Sequence, residues 1–156
     1  MNASRRLQTI LLILLGLAVA ATSFAQSEPR VVLKGYDPVA YFTEGKPVKG
    51  LPELKYDWDG GRYYFSKAEN REKFAADPER YAPQFAGYCT GSMSRGVRNE
   101  GNPEGWAIVD GKLYVLGLED GAKGRAMLQD PNYLAARIPK AEKNWREMAY
   151  NSPGKR

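Results

Sequence analysis

The residues able to do chemistry gather in one stretch, FAGYCTGSMSRG, at residues 85–96. It holds the chain's one cysteine, Cys89, with Met93 four positions later and glycines before, between and after. At i and i+4 a thiolate and a thioether share one face of a helical turn. Such a soft pair suits Cu(I). Cys89 and Met93 are therefore the candidate metal ligands, and Cu(I) is the candidate cofactor. Two other readings of the same side chain stand beside that one. Free cysteines commonly serve as small buried hydrophobes, and an accessible thiol can act as a redox or dimer-forming group.

The chain contains no histidine. That removes Ser-His-Asp and Cys-His nucleophilic catalysis and the commonest zinc and haem ligand. A single cysteine also rules out a four-sulfur site within one chain and a disulfide framework. Asp37, Asp57, Asp59 and Asp110 all stand where turns or helix caps call for aspartate, so no general acid or base is assigned and the set of catalytic residues is empty. The segment MSRGVRNEGNPEG, 93–105, carries Arg95 and Arg98 on a long irregular loop. Loops of that kind on a rigid scaffold tend to carry binding. Two guanidiniums with backbone amides suit an anion. With Tyr88, whose ring has an apolar body and a polar tip, Arg95 and Arg98 make the candidate ligand-binding set.

These residues need elements to position them. VVLKG, 31–35, reads as a short strand or extended arm. In YDPVAYF, Asp37 caps a helical turn with Pro38 at its first position. YDWDGGRYYF, 56–65, reads as a hairpin around Asp59-Gly60-Gly61, and GWAIVDGKLYVLG as a second around Asp110-Gly111. Ser66 with Glu69 three residues on reads as a capping box opening a helix. Asp77-Pro78 and Asp130-Pro131 each read as the cap and start of a further helix. A helix is expected from about Glu119 to Leu128, and Pro139 should divide 131–149 into two. The fold class is α+β: a small antiparallel sheet built from two hairpins with short helices packed on it. No internal repeat is expected.

The first residues read as a signal peptide. Arg5 and Arg6 form a positive start, Thr9–Ala21 is an apolar run, and Ser23 and Ala25 set a small-residue exit, so cleavage is expected after Ala25. The alternative is an uncleaved anchor, although the run is shorter than the about 20 residues a span needs. The general secretory route is favoured over twin-arginine export. The organisation is then signal peptide 1–25, leader 26–33, one domain 34–150 and a loose tail 151–156. Loss of Arg5 and Arg6 takes the formal net charge from +5 to +3. The remaining charges are mixed along the chain, which argues against a nucleic-acid partner.

GYDPVAYF, DGGRYYFSKAENREKFAADPERYAP, GYC, and DGKLY followed by NW resemble the exported YHS-domain proteins of bacteria, over Lys34 to about Met148. The resemblance implies a YHS-like fold and a family without a settled biochemical role. Related domains associated with heavy-metal handling carry three cysteines, and the matching positions here are Ala40, Ser66 and Asn70. All three thiols are missing, so the resemblance does not by itself bring a metal site with it.

The reading is a periplasmic or secreted protein, non-enzymatic, that binds a small ligand or soft metal near Gly87-Tyr88-Cys89. The alternatives are a thiol-based redox enzyme or sensor using Cys89, and a protein-interaction module with no ligand. The expected partners are a small ligand or metal ion and a periplasmic protein, with no stable membrane span after cleavage.

Overall fold

The computed structural model describes residues 28–117, 127 and 130–150. The signal peptide expected at 1–25, most of the helix expected over 119–128, and the tail 151–156 lie outside the described residues. None of the described helices is long and apolar enough to cross a membrane.

The α+β class and both hairpins are present. Strand β1 (Arg30–Val31) leads into a tight turn at Val32–Gly35 and then α1 (Ala40–Thr43). Strands β2 (Leu51–Trp58) and β3 (Gly61–Phe65) form the first hairpin. Helices α2 (Ala68–Ala76) and α3 (Pro78–Tyr81) follow, then a second tight turn at Gln84–Gly87 and α4 (Thr90–Met93). Strands β4 (Asn102–Val109) and β5 (Lys112–Leu116) form the second hairpin, and α5 (Pro131–Ala135) and α6 (Ile138–Tyr150) close the chain. The hairpins sit in two separate sheets. One is three-stranded and mixed, in the order β1-β3-β2 with β1 parallel to β3, and the other is the β4-β5 pair.

The architecture repeats itself, contrary to the sequence-based expectation. Lys55 pairs with Tyr64 and Leu51 with Phe65, with a register shift between them; 51 residues on, Trp106 pairs with Val115 and Asn102 with Leu116, with the same shift. Both hairpins turn on an Asp-Gly pair with positive φ at both residues: Asp59 and Gly60, Asp110 and Gly111. That is the backbone twist a two-residue hairpin loop prefers. Upstream, Val31 pairs in parallel with Arg62, and Pro83 in parallel with Leu113. Each of these leads into two successive non-glycine residues in the left-handed region, Leu33-Lys34 and Phe85-Ala86, followed by a positive-φ glycine. Then Tyr36 bridges Lys49 as Tyr88 bridges Glu100. Gly50 N–H donates to Gly35 O at 2.9 Å, and Gly101 N–H to Gly87 O at 3.2 Å. The first repeat runs from Arg30 to about Tyr81 and the second from about Ala82 to Ala135, with α6 added after it.

Two apolar clusters hold the repeats. One, around Phe74 with Tyr41, Tyr63 and Phe65, extends into the second repeat through Leu113 and Val115. The other joins Phe85, Met93 and Tyr114 to Ala141 of α6, with Trp145 and Met148 packed against them. Arg30 ties the repeats together from β1. Its guanidinium bonds both Glu100 carboxylate oxygens, at 2.8 and 3.1 Å, donates to Ala86 O, and lies 4.4 Å from the Tyr88 ring centre.

Two local expectations change. VVLKG is extended only at its first residue and turns at Val32–Gly35. Helix α2 starts after Lys67 with no side-chain cap, so the Ser66–Glu69 capping box does not form. Ser66 is instead drawn away toward Asp37. Asp77 and Asp130 do cap, accepting from the N–H of Arg80 and Asn132.

Candidate functional site

Each repeat has a hub just after its left-handed turn. In the first, Asp37 is wholly buried. Its N–H donates to Val48 O at 2.8 Å, which holds the residue in place. Oδ1 accepts from the N–H of Val39 and Ala40 at 2.9 and 3.4 Å. Oδ2 accepts from Ser66 N–H at 2.8 Å, the Ser66 hydroxyl at 2.7 Å and Asn70 Nδ2 at 2.7 Å. All five partners are donors, as an acceptor-only carboxylate requires, and the burial is compensated by those bonds. Ala40, Ser66 and Asn70 are the positions where the resemblance would place thiols. Here they wrap a carboxylate and leave no open coordination. Among the described residues, no group of three or more His, Cys, Asp or Glu side chains is placed to hold a metal. The residues present therefore do not fit the three-thiol site.

In the second repeat the hub residue is Cys89, 52 positions after Asp37 and held the same way, its N–H donating to Asn99 O at 2.8 Å. Cys89 is 7% exposed, and its Sγ accepts from Ser92 N–H at 3.4 Å. The counterpart of Ser66 is Gly117. A Cβ there would stand 3.3 Å from both Cβ and Sγ of Cys89, so the missing side chain is what leaves room over the sulfur. The room is a cleft of about 370 Å³ whose lining includes Cys89, Arg95, Asn99, Glu100, Met127, Tyr133 and Arg137. Glu100 is engaged by Arg30. Arg95 and Arg137 have no ion-pair partner among the described residues and also line, with Lys140, an adjoining groove. The cleft is thus biased toward anions.

The residues singled out by sequence are divided by the fold. Cys89 and Arg95 face this cleft. Met93 shares the turn with Cys89, its N–H donating to Cys89 O at 2.8 Å, but its side chain is wholly buried in the Phe85–Tyr114 cluster. Tyr88 and Arg98 line a different cleft of about 600 Å³, together with Arg30 and Trp145. There the Arg98 guanidinium lies 5.4 Å from the Trp145 ring centre. Arg95 and Arg98 therefore do not form one anion clamp; Arg95 is joined by Arg137 instead. Met127, Tyr133, Arg137 and the Asp37–Ser66–Asn70 hub were missed by sequence reasoning. The signal that could have found the hub was the pairing of GYD, DGG and Ser66 with GYC, DGK and Gly117.

A YHS domain is detected at residues 39–85. The span begins beside Asp37 and ends in the second left-handed turn, so it covers most of the first repeat and only the opening of the second. No curated protein and no solved structure matches the chain.

Proposed function

We propose that this is a non-enzymatic binding protein that takes a small ligand in the cleft beside Cys89, and that it works in the periplasm or outside the cell after cleavage near Ala25. The exported location is supported by the charged start, apolar run and small-residue exit of residues 1–25. The ligand reading is carried by one observation. Cys89, Arg95 and Asn99 from one stretch of the second repeat, Tyr133 from α5 and Arg137 from the link between α5 and α6 line a single cleft. Concave sites with a few convergent polar groups are where small ligands bind.

The lone thiol makes the test direct. In the folded, reduced protein, iodoacetamide should alkylate Cys89 slowly but measurably, and millimolar sodium phosphate or sodium succinate should slow it further. A thiol that reacts only after denaturation, or at a rate neither anion changes, would remove the reading.

A second reading keeps the soft metal. YHS domains are often linked to copper handling, and Met127 lines the Cys89 cleft although Met93 does not. A Cu(I) ion held there would take Cys89 and Met127 as its sulfur donors. In competition with a chromophoric Cu(I) chelator, Cys89→Ser and Met127→Leu should each weaken binding by about tenfold or more, while Met93→Leu leaves it unchanged. Equal affinities in all four proteins would end this reading.

A further inference from the structure

The two repeats put the same hub to opposite uses. In the first, a carboxylate sits on the backbone N–H groups of Val39, Ala40 and Ser66, closed over by the Ser66 hydroxyl and Asn70. In the second, the equivalent N–H groups belong to Gly91, Ser92 and Gly117. Ser92 N–H reaches Cys89 Sγ. Among the described residues, none accepts from the N–H of Gly91 or Gly117. The side chain that closes the first hub is absent at Gly117, and the space it leaves opens into the cleft that carries Arg95 and Arg137.

We propose that the chain is an internal duplication whose second unit takes from a ligand the carboxylate that Asp37 supplies in the first. The ligand is a small carboxylate anion. Its head group sits above Cys89 Sγ on the N–H groups of Gly91 and Gly117, Ser92 N–H being taken by the sulfur, and the guanidiniums of Arg95 and Arg137 balance its charge. Neither the thiol nor the short helix α4 alone would mark a site. The independent observation is internal: the counterparts of these two N–H groups, on Val39 and Ser66, hold a carboxylate one repeat earlier. Asp at the hub position fills the cradle from within, whereas the Cys89 sulfur takes only the Ser92 N–H and leaves the other two to an outside group. This inference rests on the reading of the Cys89 cleft as a ligand site and adds the chemical class of what enters it.

The test is a backbone-amide NMR titration of the reduced full chain with succinate, with neutral succinamide as control. Succinate should shift Gly91, Ser92 and Gly117 saturably, and succinamide should not. Cys89→Asp supplies the carboxylate internally; it should weaken succinate binding by about tenfold or more with a melting temperature equal to or above wild type. Arg137→Gln, at the rim, should weaken succinate by about tenfold with the fold intact, and it decides the matter if Cys89→Asp does not fold. Undiminished binding in either folded variant overturns the inference. So do shifts confined to the cleft of Tyr88 and Trp145. Phosphate binding at Gly91 and Gly117 without succinate binding overturns the carboxylate assignment but leaves the cleft a ligand site. If neither anion shifts these amides, both the inference and the ligand reading fall.

Discussion

Asp37 is the residue on which the first repeat closes, with five donors converging on its two carboxylate oxygens. Asp37→Asn would turn an amide toward donors and strand at least one of them in the interior. A loss of about 2–3 kcal/mol in unfolding free energy is expected, read from the urea midpoint at unchanged m-value. A loss below about 0.5 kcal/mol would mean the hub is not a structural centre. The tyrosines give a second residue-scale prediction. Burial pushes the Tyr63 phenol up to about 12, against an ordinary value of 10.0. Burial, aided by the Glu104 charge, raises Tyr41 as well, and its hydroxyl donates to Pro103 O at 3.0 Å. Both phenols ionise more readily in the unfolded chain. The stability they contribute is therefore fully present below the unfolded value near 10 and is lost as pH climbs through about 12. Tyrosinate absorbance should rise in two stages, with the last tyrosines ionising together with loss of near-ultraviolet circular dichroism. A single early stage with the fold intact would contradict the burial of Tyr41 and Tyr63.

At the level of elements, what the sequence made legible was local. Asp-Gly turns between aromatic or branched runs gave both hairpins, and Asp-Pro pairs gave helix starts, because each is a short-range preference of the backbone. Ser66 shows the limit. Its spacing to Glu69 satisfies a capping box, yet a buried carboxylate from 29 residues upstream offers two bonds at 2.7 and 2.8 Å, and the tertiary partner wins. Met93 shows it again. The i, i+4 spacing to Cys89 is real, but the packing of α6 over the turn claims the Met93 side chain for the core. The repeated elements also make a paired prediction. A Cβ on Gly50 would lie 2.5 Å from Tyr64 C, and one on Gly101 2.5 Å from Val115 Cγ2 and 2.7 Å from Gly87 O. Each glycine lets the chain pass close against the equivalent residue of its hairpin's second strand, Tyr64 or Val115. Gly50→Ala and Gly101→Ala should each destabilise by about 1–3 kcal/mol, through overpacking at equivalent places. Urea denaturation checks this, and a neutral result at either position would break the equivalence there.

For the whole molecule, the governing feature is one plan used twice with a change at the hub. The plan was hidden in the sequence because the copies share few identities outside Gly-Tyr and Asp-Gly. Their core positions differ in type, Tyr41 matching Met93 and Phe65 matching Leu116, while the backbone geometry around them is kept. The change at the hub has a functional direction. The copy in which the YHS domain is detected is the closed one, and the open cleft belongs mostly to the copy beyond residue 85. The most direct measurement is a crystal structure of the reduced protein grown with succinate. The account predicts a carboxylate on the N–H groups of Gly91 and Gly117 over Cys89, with the Asp37 hub unchanged. Succinate seated in the Tyr88–Trp145 cleft, with the space over Cys89 filled by the protein's own side chains, would contradict it.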